Sequence, residues 1–336
     1  MAVTLKPVSE QVIVITGASS GIGLATARAA AKRGAKLVLN SRNEDTLAEV
    51  VRDIRAAGGE AVYMPGDVAF REDMEKVARA AVDHFGRIDT WVNNAGLSIY
   101  GRLQEVTEED HRRLFDINFW GIVNGSLVAA PYLKRHGGAL INLGSEVSDV
   151  ALPVQAMYSV TKHAVKGFTD ALRIELMEEG APISVTLIKP AAIDTPFPQH
   201  AKNYTPKAPT LPAPVYQPNE VAKAILYAAT HATRDVYVGG ASKLFSVMNR
   251  MAPHVVDWVN ARFMGKQMLR DEPSQGKNGA LYHAGRDGDV RGEPSGHFVR
   301  PSLYTNAMTH PVAASLMLVA AGAAMAAAIH AERSRD

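Results

Sequence analysis

The sequence predicts an α/β fold, a doubly wound parallel sheet with helices on both faces, followed by a C-terminal extension. Three observations carry this. Short β-branched runs alternate with helix-length segments from Val12 onward. The runs are apolar throughout rather than alternating, as strands are when helices cover both faces of a sheet. Successive strand and helix units need crossover connections, which join parallel neighbours. With 336 residues, 47% of them hydrophobic, the chain can bury a large core, and its length allows either one large domain or several.

The elements follow in order. Val12–Thr16 reads as the first strand, closed by glycine and followed by a helix over Ile22–Arg33. The pattern repeats as strand Lys36–Asn40, helix Asn43–Ala57, strand Ala61–Met64, helix Arg71–Phe85 and strand Thr90–Asn93. Helical sequence covers Thr107–His136, then strand Ala139–Leu143, helix Gln155–Glu179 and strand Ile183–Ile188. Asp194–Pro218 holds seven of the 18 prolines, too many for a helix or an interior strand, and reads as a long stiffened loop. Helix Asn219–Thr230 and strand Asp235–Val238 complete a first unit over 1–240, with 194–218 as its lid. Residues 241–310 form an extension, helical over Ser242–Leu269 and irregular over Asp271–Arg300, where six glycines, two prolines and nine charged residues fall. Residues 311–330 read as an apolar C-terminal helix.

Composition excludes several classes. A formal charge of +2 without a basic run leaves no footprint for nucleic acid. Zero cysteines remove disulfides, thiolate metals and a Cys nucleophile, and fit a reducing cytosol. The eleven histidines show no metal-ligand spacing, so no metal is expected. The polar N-terminus carries no signal-peptide run, making the cytoplasm the expected location. Val312–Ile329 is 18 residues without charge, nine of them alanine. It suits either a membrane-associated helix, at the lower edge of the roughly 17–25 residues that span a bilayer, or a helix buried in a protein interface.

The chemistry concentrates in a few short stretches. The first turn reads Thr16-Gly17-Ala18-Ser19-Ser20-Gly21-Ile22-Gly23. Glycines there let the backbone approach a pyrophosphate, and the helix N-terminus offers N–H groups and a positive dipole end. A plain strand–helix turn would look similar, but its place after the first strand favours a dinucleotide. Tyr158 and Lys162, four apart, share a helix face, and a cation beside a phenol favours phenolate and lowers its pKa toward working pH. Ser145 stands thirteen residues before Tyr158 at a strand end, on the carboxyl edge where doubly wound sheets bind ligands.

Together TGASSGIG, Asn93-Asn94-Ala95-Gly96, Asn118, Ser145 and Tyr158-x-x-x-Lys162 resemble the short-chain dehydrogenase/reductase family, over about residues 8–240. The resemblance implies a Rossmann-like fold and a homo-oligomer. Tyr158 would be the acid/base, Lys162 would lower its pKa and hold the nicotinamide ribose, Ser145 would bind the carbonyl, and Asn118 would anchor a proton-relay water. Gly17, Ser19, Ser20, Gly21, Ile22 and Gly23 would bind the cofactor phosphates. Asn94, Ala95 and Gly96 would line the adenosine side, with Asp67-Val68 at the adenine; Asp67 also suits a turn or N-cap. Pro190-Ala191 departs from the family's usual Pro-Gly, ahead of expected carboxamide contacts from Pro190, Ile193 and Thr195. At the end of the second strand, Ser41 stands where NAD-type relatives carry Asp, and the Arg42 guanidinium suits a phosphate, favouring NADP(H) over NAD(H). Arg42 could instead pair with Glu44 or Asp45 at the surface.

The expectation is an NADP(H)-dependent oxidoreductase interconverting a carbonyl and an alcohol on a moderately hydrophobic small molecule. Phe197, Tyr204, Leu211 and Tyr216 would give the lid its apolar lining, if the loop is more than stiffened. Glu146, beside Ser145, could face the substrate but reads rather as solvent-facing or structural, and His163 as packing or surface. The alternative is a dinucleotide-binding scaffold or sensor without turnover, possibly membrane-tethered.

Overall fold

The apolar runs form one parallel sheet: β1 (Val12–Thr16), β2 (Lys36–Asn40), β3 (Glu60–Tyr63), β4 (Thr90–Asn93), β5 (Gly138–Leu143), β6 (Ile183–Pro190) and β7 (Asp235–Val238). Their spatial order is β3-β2-β1-β4-β5-β6-β7, and every neighbouring pair is parallel. The structure is a computed structural model that describes residues 3–274, 279–285, 287–293, 299–310 and 315. The expected helix Val312–Ile329 lies outside them apart from Ser315. Among the described residues no helix is long and apolar enough to cross a membrane.

Each strand is apolar on both faces because each face meets helices. On one face Ile13, Ile15, Leu37, Leu39 and Ile141 pack with α1 (Gly21–Ala31), α2 (Glu44–Ala56) and a helix over Pro218–Ala228. The intervening residues Val12, Val14, Val38, Trp91 and Leu140 face α3 (Arg71–Phe85) and the helices before and after β5. α4 (Glu108–Phe115) begins at Thr107, whose hydroxyl accepts from the Asp110 N–H at 3.3 Å. It runs through a π-helical turn, Asp116–Trp120, into α5 (Gly121–His136). Such turns displace a side chain from the regular helical face, and this one carries Asn118. α6 (Ala156–Glu178) follows β5 and bears Tyr158 and Lys162.

The proline-rich stretch contains more regular structure than its composition suggests. A helical turn covers Phe197–His200. Short ladders pair Lys202–Asn203 with Ile99–Tyr100, Lys207–Pro209 with Leu269–Pro273, and Val215–Tyr216 with Val299–Arg300. The last two pairs stitch the lid to the extension. Leu303–Thr309 is helical, and the Thr305 hydroxyl accepts from the Gly239 N–H at 3.1 Å, just beyond β7.

A buried polar chain ties the centre of the sheet to its helices. The Trp91 indole donates to Asn93 Oδ1 at 2.7 Å, Asn93 Nδ2 to Asn142 Oδ1 at 2.8 Å, and Asn142 Nδ2 to Thr169 Oγ1 on α6 at 3.0 Å. Buried polar groups left without partners carry their desolvation cost. Asn142→Leu should therefore lower unfolding stability by about 2–4 kcal/mol. Urea denaturation should show an earlier midpoint at an unchanged m-value.

Candidate active site

The glycine-rich turn is seated by contacts that admit no side chain. Gly17 has a φ of +65°, and a Cβ there would lie 2.8 Å from the Ala95 Cα. A Cβ on Gly23 would come within 2.0 Å of the Gly17 carbonyl oxygen. Asn94 fixes the turn to β4: its Nδ2 donates to the Thr16 and Gly17 carbonyls at 2.9 and 3.1 Å, while Thr16 Oγ1 accepts from the Asn94 N–H at 3.0 Å. Bare backbone thus stands at the α1 N-terminus, next to a wall of Asn94, Ala95 and Gly96. This cradle, which any Cβ would fill, fits a dinucleotide pyrophosphate.

The four residues expected to carry the chemistry, Asn118, Ser145, Tyr158 and Lys162, converge at the other end. Ser145 follows β5 as the cap of a short 3-10 turn, with its hydroxyl accepting from the Val147 N–H at 3.3 Å, and lines the same cleft as Tyr158. Lys162 is 3% exposed and donates to the Leu143 carbonyl at 2.7 Å. Its ammonium lies 5.8 Å from the Tyr158 ring centroid. Asn118 is fully buried; its Oδ1 accepts from the Leu97 N–H at 2.8 Å, and its Nδ2 donates to the Leu97 carbonyl and to Thr161 Oγ1. Asn118 therefore holds the strand-end wall against α6, one residue from Lys162.

Burial governs the ionisable groups here. It lowers the Lys162 ammonium to about 8. It also raises Tyr158 above the ordinary phenol value, with Ser145 opposing this and Glu146 adding to it. The Lys162 ammonium, expected to lower the phenol, is turned to the Leu143 carbonyl. Glu146, for which the sequence leaves a substrate-facing and a solvent-facing or structural place open, lines the cleft beside Ser145, with its carboxyl pushed up to about 7 by burial.

One continuous cleft, open to solvent at its mouth, connects the two ends. Gly17, Ser19, Ser20, Gly21, Ile22, Ser41, Arg42, Asp67, Val68, Asn94, Ala95, Gly96, Pro190, Ile193 and Thr195 line it together with Ser145, Tyr158 and Lys162. Asn118 stands behind the wall, and Gly23 beneath the turn. Of the four lid residues expected to line the cleft, Phe197 and Leu211 do, and the Phe197 ring sits 5.4 Å from that of Tyr158. Tyr204 instead donates to Asp110, and Tyr216 packs over Gly239. His163 is exposed and faces away, its Nδ1 against the Ser159 carbonyl at 2.8 Å. Among the described residues no cluster of three potential metal ligands occurs.

The adenosine end contains a feature that residue types do not signal. Residues 279–285 and 287–293 cross it as a strap, and Ala280, Ala284, Gly285 and Asp287 form part of the cleft wall. Asp67 caps its own turn, accepting from the Ala69 N–H at 3.0 Å as its turn reading expects, and it also pairs with Arg113. Buried Asp110 gathers Lys202, Tyr204 and Tyr282, tying α4 to lid and strap.

A doubly wound sheet with a glycine cradle at one end of a cleft and a Ser, Tyr and Lys cluster at the other defines a dinucleotide-dependent oxidoreductase. Residues 11–205 match the sequence pattern of the family described as short chain dehydrogenase. The chain is 43% identical over 328 residues to the oxidoreductase YxnA of Bacillus subtilis, covering 96% of this chain and 92% of that one. It is 34% identical over 266 residues to 11-beta-hydroxysteroid dehydrogenase A of Sesamum indicum, covering 76% and 75%. An alcohol dehydrogenase of Thermococcus sibiricus, solved with 5-hydroxy-NADP, superposes with a TM-score of 0.60 at 29% identity, covering 68% of this chain and 95% of that one. A short chain dehydrogenase/reductase of Burkholderia phymatum, solved with NAD, gives 0.66 at 26%, covering 73% and 94%. The chain belongs to the short-chain dehydrogenase family.

Glu146 supplies a stability test. A carboxyl whose folded pKa is raised costs stability once the unfolded chain ionises, so the loss sets in as pH rises above the ordinary 4.5 and is complete above about 7. Glu146→Gln should match the wild type at pH 4 and exceed it by about 1–2 kcal/mol at pH 8. Thermal unfolding at the two pH values measures the difference.

Proposed function

We propose that the protein is an NADP(H)-dependent dehydrogenase/reductase that interconverts a carbonyl and an alcohol on a moderately hydrophobic small molecule. The observation that carries this is the convergence of Ser145, Tyr158 and Lys162 on one cleft that continues to the glycine cradle. When bound, the nicotinamide supplies or accepts the hydride. Ser145 donates a hydrogen bond to the carbonyl oxygen and orients it toward Tyr158. Tyr158, kept protonated by burial, gives its proton to that oxygen in reduction and takes it back in oxidation. Lys162, as a cation, stabilises the phenolate that proton transfer leaves behind. Asn118 acts as a positioning residue through Leu97 and Thr161. Phe197 and Leu211 keep water from the reacting carbonyl and favour an apolar substrate body.

The NADP(H) preference rests on chemistry at the end of β2, where no carboxylate stands and a guanidinium does. Ser41 closes a local turn with Asn43, accepting from its N–H at 3.2 Å, and Arg42 reaches the cleft.

Tyr158→Phe should abolish carbonyl reduction, read as loss of NADPH absorbance across a panel of ketones and aldehydes, while leaving NADPH binding within about threefold of wild type. Preserved turnover would remove Tyr158 from the chemistry; wild-type binding without turnover on any carbonyl would favour a dinucleotide sensor. In the wild type, kcat/KM for reduction should fall as pH rises through about 8, where Lys162 loses its proton.

Cofactor choice is tested without knowing the substrate. Fluorescence titration should show NADPH binding more tightly than NADH, and Arg42→Ala should shrink the gap by about 1–3 kcal/mol. Equal wild-type affinities would reject the preference.

A further inference from the structure

Arg42 is already engaged by the chain itself. Nη1 donates to the Leu281 carbonyl at 3.2 Å, and Nη2 donates to the carbonyls of Ala280 and, at 3.2 Å, His283. The strap is fastened again at the glycine turn, where the Gly288 N–H donates to the Ser19 carbonyl at 2.9 Å and the Gly21 N–H donates to the Asp289 carbonyl at 2.9 Å. One of the amides at the α1 N-terminus thus has a peptide carbonyl as its partner, and the Asp287 carboxylate lines the cleft nearby.

We propose that this strap is part of the cofactor site, and that Arg42 distinguishes the two dinucleotides by exchanging partners: a 2′-phosphate draws its guanidinium away from the strap carbonyls, whereas NAD(H) leaves the strap fastened. The proposal rests on the NADP(H) reading above and deepens it.

Three features support the exchange. The carbonyls are neutral, and a phosphate makes shorter, charge-assisted, bidentate bonds to the same terminal nitrogens, so it wins where it can reach them. Burial already depresses the Arg42 pKa, an effect that Asp67 only partly offsets, so the cation gains from an added anion. Asp67 is itself paired with Arg113, which leaves Arg42 with neutral partners at its terminal nitrogens. Asp287, within electrostatic reach of Arg42 and 3.8 Å from His200 Nε2, lines the cleft, where its carboxylate would repel a pyrophosphate, so the strap would shift outward as a dinucleotide settles. A nucleotide lacking the 2′-phosphate can push at Asp287 but cannot compete for Arg42.

Hydrogen exchange followed by mass spectrometry on the full-length protein tests this through the amides of peptides spanning 279–293. With no cofactor, Arg42→Ala should exchange in this stretch about tenfold or more faster than wild type, with β1 and β4 peptides unchanged. At matched saturation of wild type, NADPH should speed exchange across 279–285 about tenfold or more over NADH, and Arg42→Ala should lose that difference. A strap as protected in Arg42→Ala as in wild type would show that Arg42 does not fasten it. Equal or slower exchange with NADPH than with NADH in wild type would show that no partner exchange occurs. If NADPH fails to bind, both the cofactor preference and the discrimination fall, while the cofactor-free comparison still decides whether Arg42 fastens the strap.

Discussion

The site depends first on the clamp between the ends of β1 and β4. Neighbouring parallel strands diverge at their carboxyl ends and leave carbonyl groups without ladder partners, which is where ligands enter such sheets. Asn94 closes that divergence by donating to two successive carbonyls, those of Thr16 and Gly17, while Thr16 returns a hydroxyl acceptor to the Asn94 N–H. With the strand ends pinned, Gly17 adopts its left-handed turn and Gly23 can sit against the Gly17 carbonyl, bringing the α1 N-terminus to the mouth of the cleft. The same stretch continues through Gly96 to Leu97, which Asn118 grips by both N–H and carbonyl and ties to Thr161 on α6. One line of hydrogen bonds therefore links the cofactor cradle to the helix that carries Tyr158 and Lys162.

Electrostatics inside the cleft follow from dryness more than from pairing. Tyr158 and Glu146 are pushed up and Lys162 is pushed down, each toward its neutral form. A sequence argument from two side chains one helical turn apart treats the cation as the dominant neighbour of the phenol. In the folded chain the ammonium is turned to the Leu143 carbonyl, and what both groups share most is the loss of water. The resting phenol is consequently held as a proton donor, the form that reduction of a carbonyl requires.

The sheet was legible because its signals are local. Strands buried on both faces read as unbroken apolar runs, and Val12–Thr16, Lys36–Asn40, Thr90–Asn93 and Asp235–Val238 fold with the bounds expected of them. The β6 ladder runs on to Pro190, past its expected end at Ile188, since β7 pairs with it there. Ser145, Tyr158 and Lys162 were legible from spacing, and the cleft brings them together. Glu146 was legible only as one of two alternatives, because a carboxylate after a strand is usually solvated; the fold places it in the cleft wall. Tyr204 and Tyr216 were misassigned for the opposite reason: aromatic character in a lid does not reveal which rings turn inward, and the buried Asp110 and the bare backbone at Gly239 claim these two. The strap had no signature, since it holds Arg42 through backbone carbonyls that any residue supplies.

That last point bears on where this chain differs within its family. The family pattern ends at residue 205, and the two solved structures cover 68% and 73% of the chain, whereas YxnA matches across 96% of it. The segments beyond the pattern are not remote from the chemistry: Leu269–Pro273 and Val299–Arg300 pair with the lid, Tyr282 meets Asp110, and Ala280 through Asp287 line the adenosine end. A shared sheet supplies the cradle and the quartet, so it fixes the reaction class. Substrate shape and access to the cofactor depend on the walls around it, and in this protein the extension contributes Ala280, Ala284, Gly285 and Asp287 to that wall.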